Sequence, residues 1–199
     1  MKVYLIKFVT VGERWQPWWD ARKMNVPDDI IFLRIDGAHV FLLTTNKDYT
    51  EMFKNYSPET IIEMKDVKDL LETINRYFTK LYYRITNKKI LIAASTPGRI
   101  IGTRGRTIKL LKKIITGNLI VGGIICISHD LVGNAEINIS DRKILQKYNL
   151  KEEQWYHTEI KFSDLPKVQH EECKRNGKTS KIIPWYDIPE WVKNLLKQL

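Results

Sequence analysis

The clearest periodicity in the chain is helical. Val67, Leu70, Leu71, Ile74, Tyr77, Phe78 and Leu81 recur at three- and four-residue spacing, while Lys68, Asp69, Glu72, Asn75 and Lys80 fill the opposite face. That spacing predicts an amphipathic helix with its aromatic members in the core. A second helix is expected over residues 106–115, where Ile108, Leu111 and Ile115 share one side and Gly117-Asn118 ends the run. A short helix at Pro97-Gly98-Arg99-Ile100-Ile101 precedes it. Elsewhere the apolar positions come in shorter runs. Val3, Leu5, Phe8 and Val9 suggest a first strand, and residues 30–35 and 39–45 a hairpin closed at Asp36-Gly37. Residues 82–86 and 89–94 read as two short strands turning at Asn87-Lys88, and residues 119–128 as one buried strand.

The C-terminal third is less regular. Residues 135–139 and 156–162 suggest strands around a helix over 141–148, residues 166–180 a polar loop containing Asn176-Gly177, and Pro189 the first turn of a terminal helix. Ser57-Pro58-Glu59 is turn chemistry and marks a boundary. The expected organisation is a small α/β unit with a hairpin over 1–56, a central domain over 57–130, and an α/β extension over 131–199. The fold class is therefore α+β, or mixed α/β. No internal repeat interrupts it.

Composition excludes several classes. At 199 residues, with 43% hydrophobic and 28% charged side chains, the chain has ordinary globular make-up and enough length for a core. Two cysteines, Cys126 and Cys173, are too few for a disulfide framework, so a reducing interior is expected. No apolar run approaches the roughly 20 residues a membrane span needs, and Met1-Lys2-Val3-Tyr4 leads straight into a strand pattern rather than a signal peptide. A cytoplasmic protein without a membrane partner is expected.

Charge changes the picture more than any other bulk property. The formal net charge is +10, and no acidic residue lies between Glu72 and Asp130, where eleven basic ones do. The remainder is near neutral, with 22 basic against 23 acidic residues. A polyanion selects such a segment, because each neutralised phosphate releases condensed counterions. A solvated Lys/Arg face is the plainer alternative.

Inside this segment lies Ile101-Gly102-Thr103-Arg104-Gly105-Arg106-Thr107-Ile108. Two glycines separated by two residues let the backbone turn sharply and approach phosphates with no Cβ in the way. The next helix offers its free N–H groups and positive dipole end to an anion. Arg99, Arg104 and Arg106 add charge beside that point, and Lys109, Lys112 and Lys113 extend it along the helix. Bare GxxG is a weak signal, since glycines close helix–helix turns widely. The acid-free, basic context strengthens it.

The I-G-x-x-G-x-x-I core at Ile101, Gly102, Gly105 and Ile108 resembles the KH domain family. The preceding amphipathic helix, two short strands and Pro-Gly are similar to its type II arrangement, as in the KH-bearing protein of the small ribosomal subunit. The resemblance covers about residues 66–128. It implies a loop that clamps single-stranded RNA backbone while bases lie over an apolar groove. Ile101, Ile108 and part of the strand near residues 90–94 would border that groove, and Thr103 would sit in the clamp.

The expected function is thus RNA binding without catalysis, cofactor or metal. Single-stranded DNA is a second ligand such a loop accepts. The alternatives are a structural component of a ribonucleoprotein assembly of ribosomal type, and a metal-dependent nuclease using Asp141, Glu159 and Lys161 in a D…ExK spacing. His170 and Cys173 have a metal-like spacing but no second pair, and His129, Asp130 and His157 lack a partner nucleophile. Trp15, Trp18 and Trp19 could stack bases, although aromatics on such a connection more often pack beneath a small domain.

Overall fold

The computed structural model describes residues 1–10, 26–49, 56–164 and 179–199. Trp15, Trp18, Trp19, His170, Cys173 and most of the 166–180 loop lie outside the described residues. The chain is a mixed α+β protein of two compact units, Met1–Lys80 with Ile101–Leu119, and Leu81–Ile100 with Ile120–Leu199. This division runs through residues 57–130 rather than at their ends.

The first unit contains a four-stranded antiparallel sheet of β1 (Tyr4–Thr10), β2 (Ile30–Asp36), β3 (His39–Thr44) and β4 (Tyr56–Glu63), in the order β2-β3-β1-β4. Period-two alternation puts Ile6 and Phe8 of β1 beside Val40 and Leu42 of β3 in one cluster with Ile30 and Tyr49. The expected boundary at Ser57-Pro58-Glu59 is not a turn: all three residues lie within β4. Proline is tolerated there because β4 is an edge strand, and the register slips at Pro58, where Lys7 faces Thr60 but Phe8 faces Pro58.

Helix α1 (Val67–Tyr77) forms as the periodicity predicts, and buries Leu70, Leu71 and Ile74. Asp66 caps it by accepting the Asp69 N–H at 2.8 Å, and Asp69 in return accepts the Lys65 N–H at 3.0 Å. It ends earlier than its apolar pattern. The Ile74 carbonyl accepts both the Phe78 and Thr79 N–H groups, and Leu81 starts the next strand. Tyr77 and Phe78 instead stack on the sheet, against Phe41 and Phe32, each pair at 5.4 Å. Lys7, Phe41 and Arg34 are cross-strand neighbours. Arg34 donates to the Tyr77 carbonyl at 3.0 Å and the Lys7 ammonium lies 5.1 Å from the Tyr77 ring centre, so one sheet row receives the last helical turn.

Strands β5 (Leu81–Ile85) and β6 (Lys89–Ala94) of the second unit form the expected hairpin, and a three-stranded sheet has the order β5-β6-β7 with β7 at Asn118–Gly122. A separate antiparallel sheet runs β10-β9-β8-β11, from β8 (Ile124–His129), β9 (Asn134–Ile139), β10 (Trp155–Glu159) and β11 (Thr179–Pro184). Helices α4 (Arg142–Tyr148) and α5 (Glu190–Leu196) bury Leu145, Val192 and Leu196 with Ile125, Ile127, Ile137 and Ile183. Strand β11 begins in the stretch assigned to a loop, and β10 stops at Glu159 short of the expected 162.

Residues 119–128 are two strands in different sheets, divided at Gly122-Gly123, not one. A Cβ at Gly123 would stand 2.6 Å or less from three Ser140 and Asp141 backbone atoms, and one at Gly122 would stand 2.6 Å from both Asp141 Oδ2 and Trp185 Cδ1. The glycines admit Asp141, whose buried carboxylate accepts N–H bonds from Gly123 at 2.8 Å, Lys143 at 2.9 Å and Ile144 at 3.1 Å. It is both the N-cap of α4 and a tie to the strand break. Asp141→Ala is expected to lower stability by about 2 kcal/mol in urea unfolding, from a lost cap and an unsatisfied Gly123 N–H. Asp141→Asn, which keeps an acceptor, should lose less.

Candidate nucleic-acid interface

The loop between α2 (Pro97–Ile101) and α3 (Arg106–Ile114) depends on backbone conformations that few residues adopt. Gly102 has φ 74° and ψ 168°, a region essentially confined to glycine. A Cβ there would also meet Thr107 Oγ1 at 2.2 Å and the Thr107 backbone nitrogen at 2.9 Å. One turn of 3-10 helix, Thr103–Gly105, follows, closed by the Gly105 N–H donating to the Gly102 carbonyl at 3.0 Å. Arg104 (φ 53°) and Gly105 (φ 73°) are both left-handed. A non-glycine residue in that region costs about 1–2 kcal/mol, so the loop holds Arg104 in a strained, outward presentation.

Gly105 is the N-cap of α3 and supplies no capping side chain. The helix therefore starts without the side-chain acceptor that usually occupies an N-terminus, which leaves its positive end available to an anion. Thr103, Arg104, Lys109, Lys112 and Lys113 are exposed. Among the described residues, none of these four cations forms an ion pair. Ile101 is 38% exposed and Ile108 half-buried, so both can meet an apolar surface beside the loop.

Other sequence-based candidates are placed differently. Arg106 is turned into its own unit, where its guanidinium donates to the Val26 carbonyl at 2.8 Å and the Ile30 carbonyl at 3.3 Å. It anchors the start of α3 to the lead-in of β2. Arg99 is exposed but belongs to the second unit. Residues 90–94, expected to border a groove, are all buried. Thr107, which sequence reasoning did not single out, is the buried neighbour that fixes Gly102; one threonine after a glycine loop carries no signal of that role.

Asp141 spends its oxygens on backbone N–H groups, whereas Glu159 and Lys161 are exposed. His157 Nδ1 lies 3.5 Å from Glu136, and His129 Nδ1 3.2 Å from the Asp130 carbonyl oxygen. Among the described residues no three His, Cys, Asp or Glu side chains converge to hold a metal ion, and no helix is long and apolar enough to cross a membrane. Compared with family models, curated proteins and solved structures, the chain matches none of them.

Proposed function

We propose that this protein binds single-stranded RNA by clamping its backbone on the Gly102-Thr103-Arg104-Gly105 loop. The observation that carries the reading is the loop itself: two glycines with positive φ hold an exposed, left-handed Arg104 at a helix start that lacks a side-chain cap. Such a backbone can approach phosphate closely, and the charge-free alternative, a structural turn, needs no strained arginine there. Lys109, Lys112 and Lys113 would extend the contact along α3. The order α1-β5-β6-α2-loop-α3-β7 agrees with the type II KH arrangement and supports the same reading. Arg106 serves the fold in this scheme, leaving Arg104 and the three lysines as the principal phosphate ligands of the first unit.

The test is binding of the purified protein to short labelled single-stranded RNA, duplex RNA and single-stranded DNA across a salt series with Mg²⁺ present. Single strands are expected to win. Four phosphate contacts predict that log K falls with log salt at a slope of roughly −3 for a single strand. Equal or better binding to duplex, or a flat salt response, would discard the clamp. Shortening of the label would instead favour a nuclease.

A further inference from the structure

Within the second unit, which does not contain the loop, a cleft of about 300 Å³ opens beside the strand break at Gly122. Gly122, Asp141, Trp185, Tyr186 and Tyr148 line it, and α4 adds Lys143 and Lys147. From this cavity the geometry points to a second binding site, one that takes a single nucleoside monophosphate-like ligand, a flat ring system joined to a phosphate.

Three features select that chemistry. The first is size: a cavity at the lower end of the roughly 300–1,000 Å³ range of small-molecule sites suits one nucleotide and not a dinucleotide. The second is a rigid aromatic wall. The Trp185 indole N–H donates to the Ile92 carbonyl at 2.9 Å, and its ring meets Tyr186 edge-on at 5.5 Å. Behind Tyr186, Arg84 lies 5.0 Å from the ring centre, held by both oxygens of Asp187 at 2.6 and 2.7 Å. Burial, the Asp187 charge adding to it, pushes the Tyr186 phenol up to about 12. A wall fixed in advance loses little freedom when a base stacks on it.

The third feature is charge. Lys143 and Lys147 are one helical turn apart on α4, exposed, and among the described residues without an ion pair. Lys193, also on the lining, is neutralised by Glu190 at 2.9 Å. Lys147 lies 5.4 Å from the Tyr148 ring centre and feels the Glu190 charge without pairing to it, so two ammonium groups on α4, against a carboxylate already engaged with backbone N–H groups, favour a phosphate beside that helix. Asp141 Oδ2 accepts one N–H, from Gly123, and its remaining lone pair can take an N–H from a base edge. Gly122 keeps the cleft open, since any side chain there would strike both Asp141 and Trp185.

The test is isothermal titration of the full chain with the four nucleoside 5′-monophosphates, their nucleosides, and inorganic phosphate. At least one monophosphate is expected to bind more tightly than its nucleoside and than phosphate alone. The Lys143→Glu, Lys147→Glu double variant should weaken it at least about tenfold while keeping native circular dichroism. The loop variant carrying Thr103→Asp and Arg104→Asp should bind the nucleotide as wild type does, which separates this site from the RNA clamp. No binding, binding equal to that of inorganic phosphate, binding indifferent to the double lysine change, or binding lost in the loop variant would each overturn the assignment.

Discussion

Changing Thr103 and Arg104 together to aspartate is expected to weaken single-stranded RNA binding at least about 100-fold, or about 2.7 kcal/mol. The change removes one cation and sets two carboxylates where the phosphates would pass, and like charges so juxtaposed cost several kcal/mol. Both positions are exposed, so no core contact is lost. Aspartate also tolerates the left-handed conformation of residue 104 better than most side chains. The fold should therefore survive, which circular dichroism and the unfolding midpoint would verify. Arg104→Gly separates charge from repulsion: affinity should fall about tenfold and the salt slope flatten by about 0.7, with stability changed by less than about 1 kcal/mol. RNA affinity equal to wild type in a folded double-aspartate variant would end the clamp model.

Gly102→Ala should be the most damaging single substitution in the loop, costing about 4 kcal/mol of stability. Two mechanisms add. The backbone at φ 74°, ψ 168° is closed to a residue with a Cβ, at about 1–3 kcal/mol, and the new methyl would overlap Thr107, including its backbone nitrogen, at about 1–3 kcal/mol more. Gly105→Ala tests the logic, because its φ of 73° is left-handed but the nearest atom to a new Cβ is Ile108 Cγ2 at 3.9 Å. It should lose only about 1–2 kcal/mol. Guanidinium unfolding of the two variants measures both. Equal losses would show that the space beside Thr107 is not what holds Gly102 in place.

Local order was largely legible in the residues. Helix α1 was readable from the spacing of Leu70, Leu71 and Ile74. The hairpins β2-β3 and β5-β6 follow short turns between β-rich runs. The glycine loop was readable too, because two of its three positive-φ positions, 102 and 105, are glycines, whereas the left-handed Arg104 between them carries no such signal. Less legible were the ends of elements. Leu81 continues the helical period of α1, yet the Ile74 carbonyl closes the helix before it, and Tyr77 and Phe78 gain more by stacking on Phe41 and Phe32.

Taken alone, the amino-acid order determined the helices α1 and α3, the hairpins β2-β3 and β5-β6, where the positive charge is concentrated, and where the chain turns through the Gly102–Gly105 loop. These are properties of neighbours a few residues apart, and local periodicity, conformational freedom and charge density report them directly. Only the tertiary structure decided the rest. Pro58 lies in a strand because an edge and a bulge accept it. Gly122-Gly123 divide one sheet from the next because Asp141 and Trp185 close in on them, and Arg106 faces inward because the carbonyls of Val26 and Ile30 lie within its reach. Each partner is 18 or more residues away in sequence, and no short-range pattern encodes which distant group will arrive at a given backbone atom.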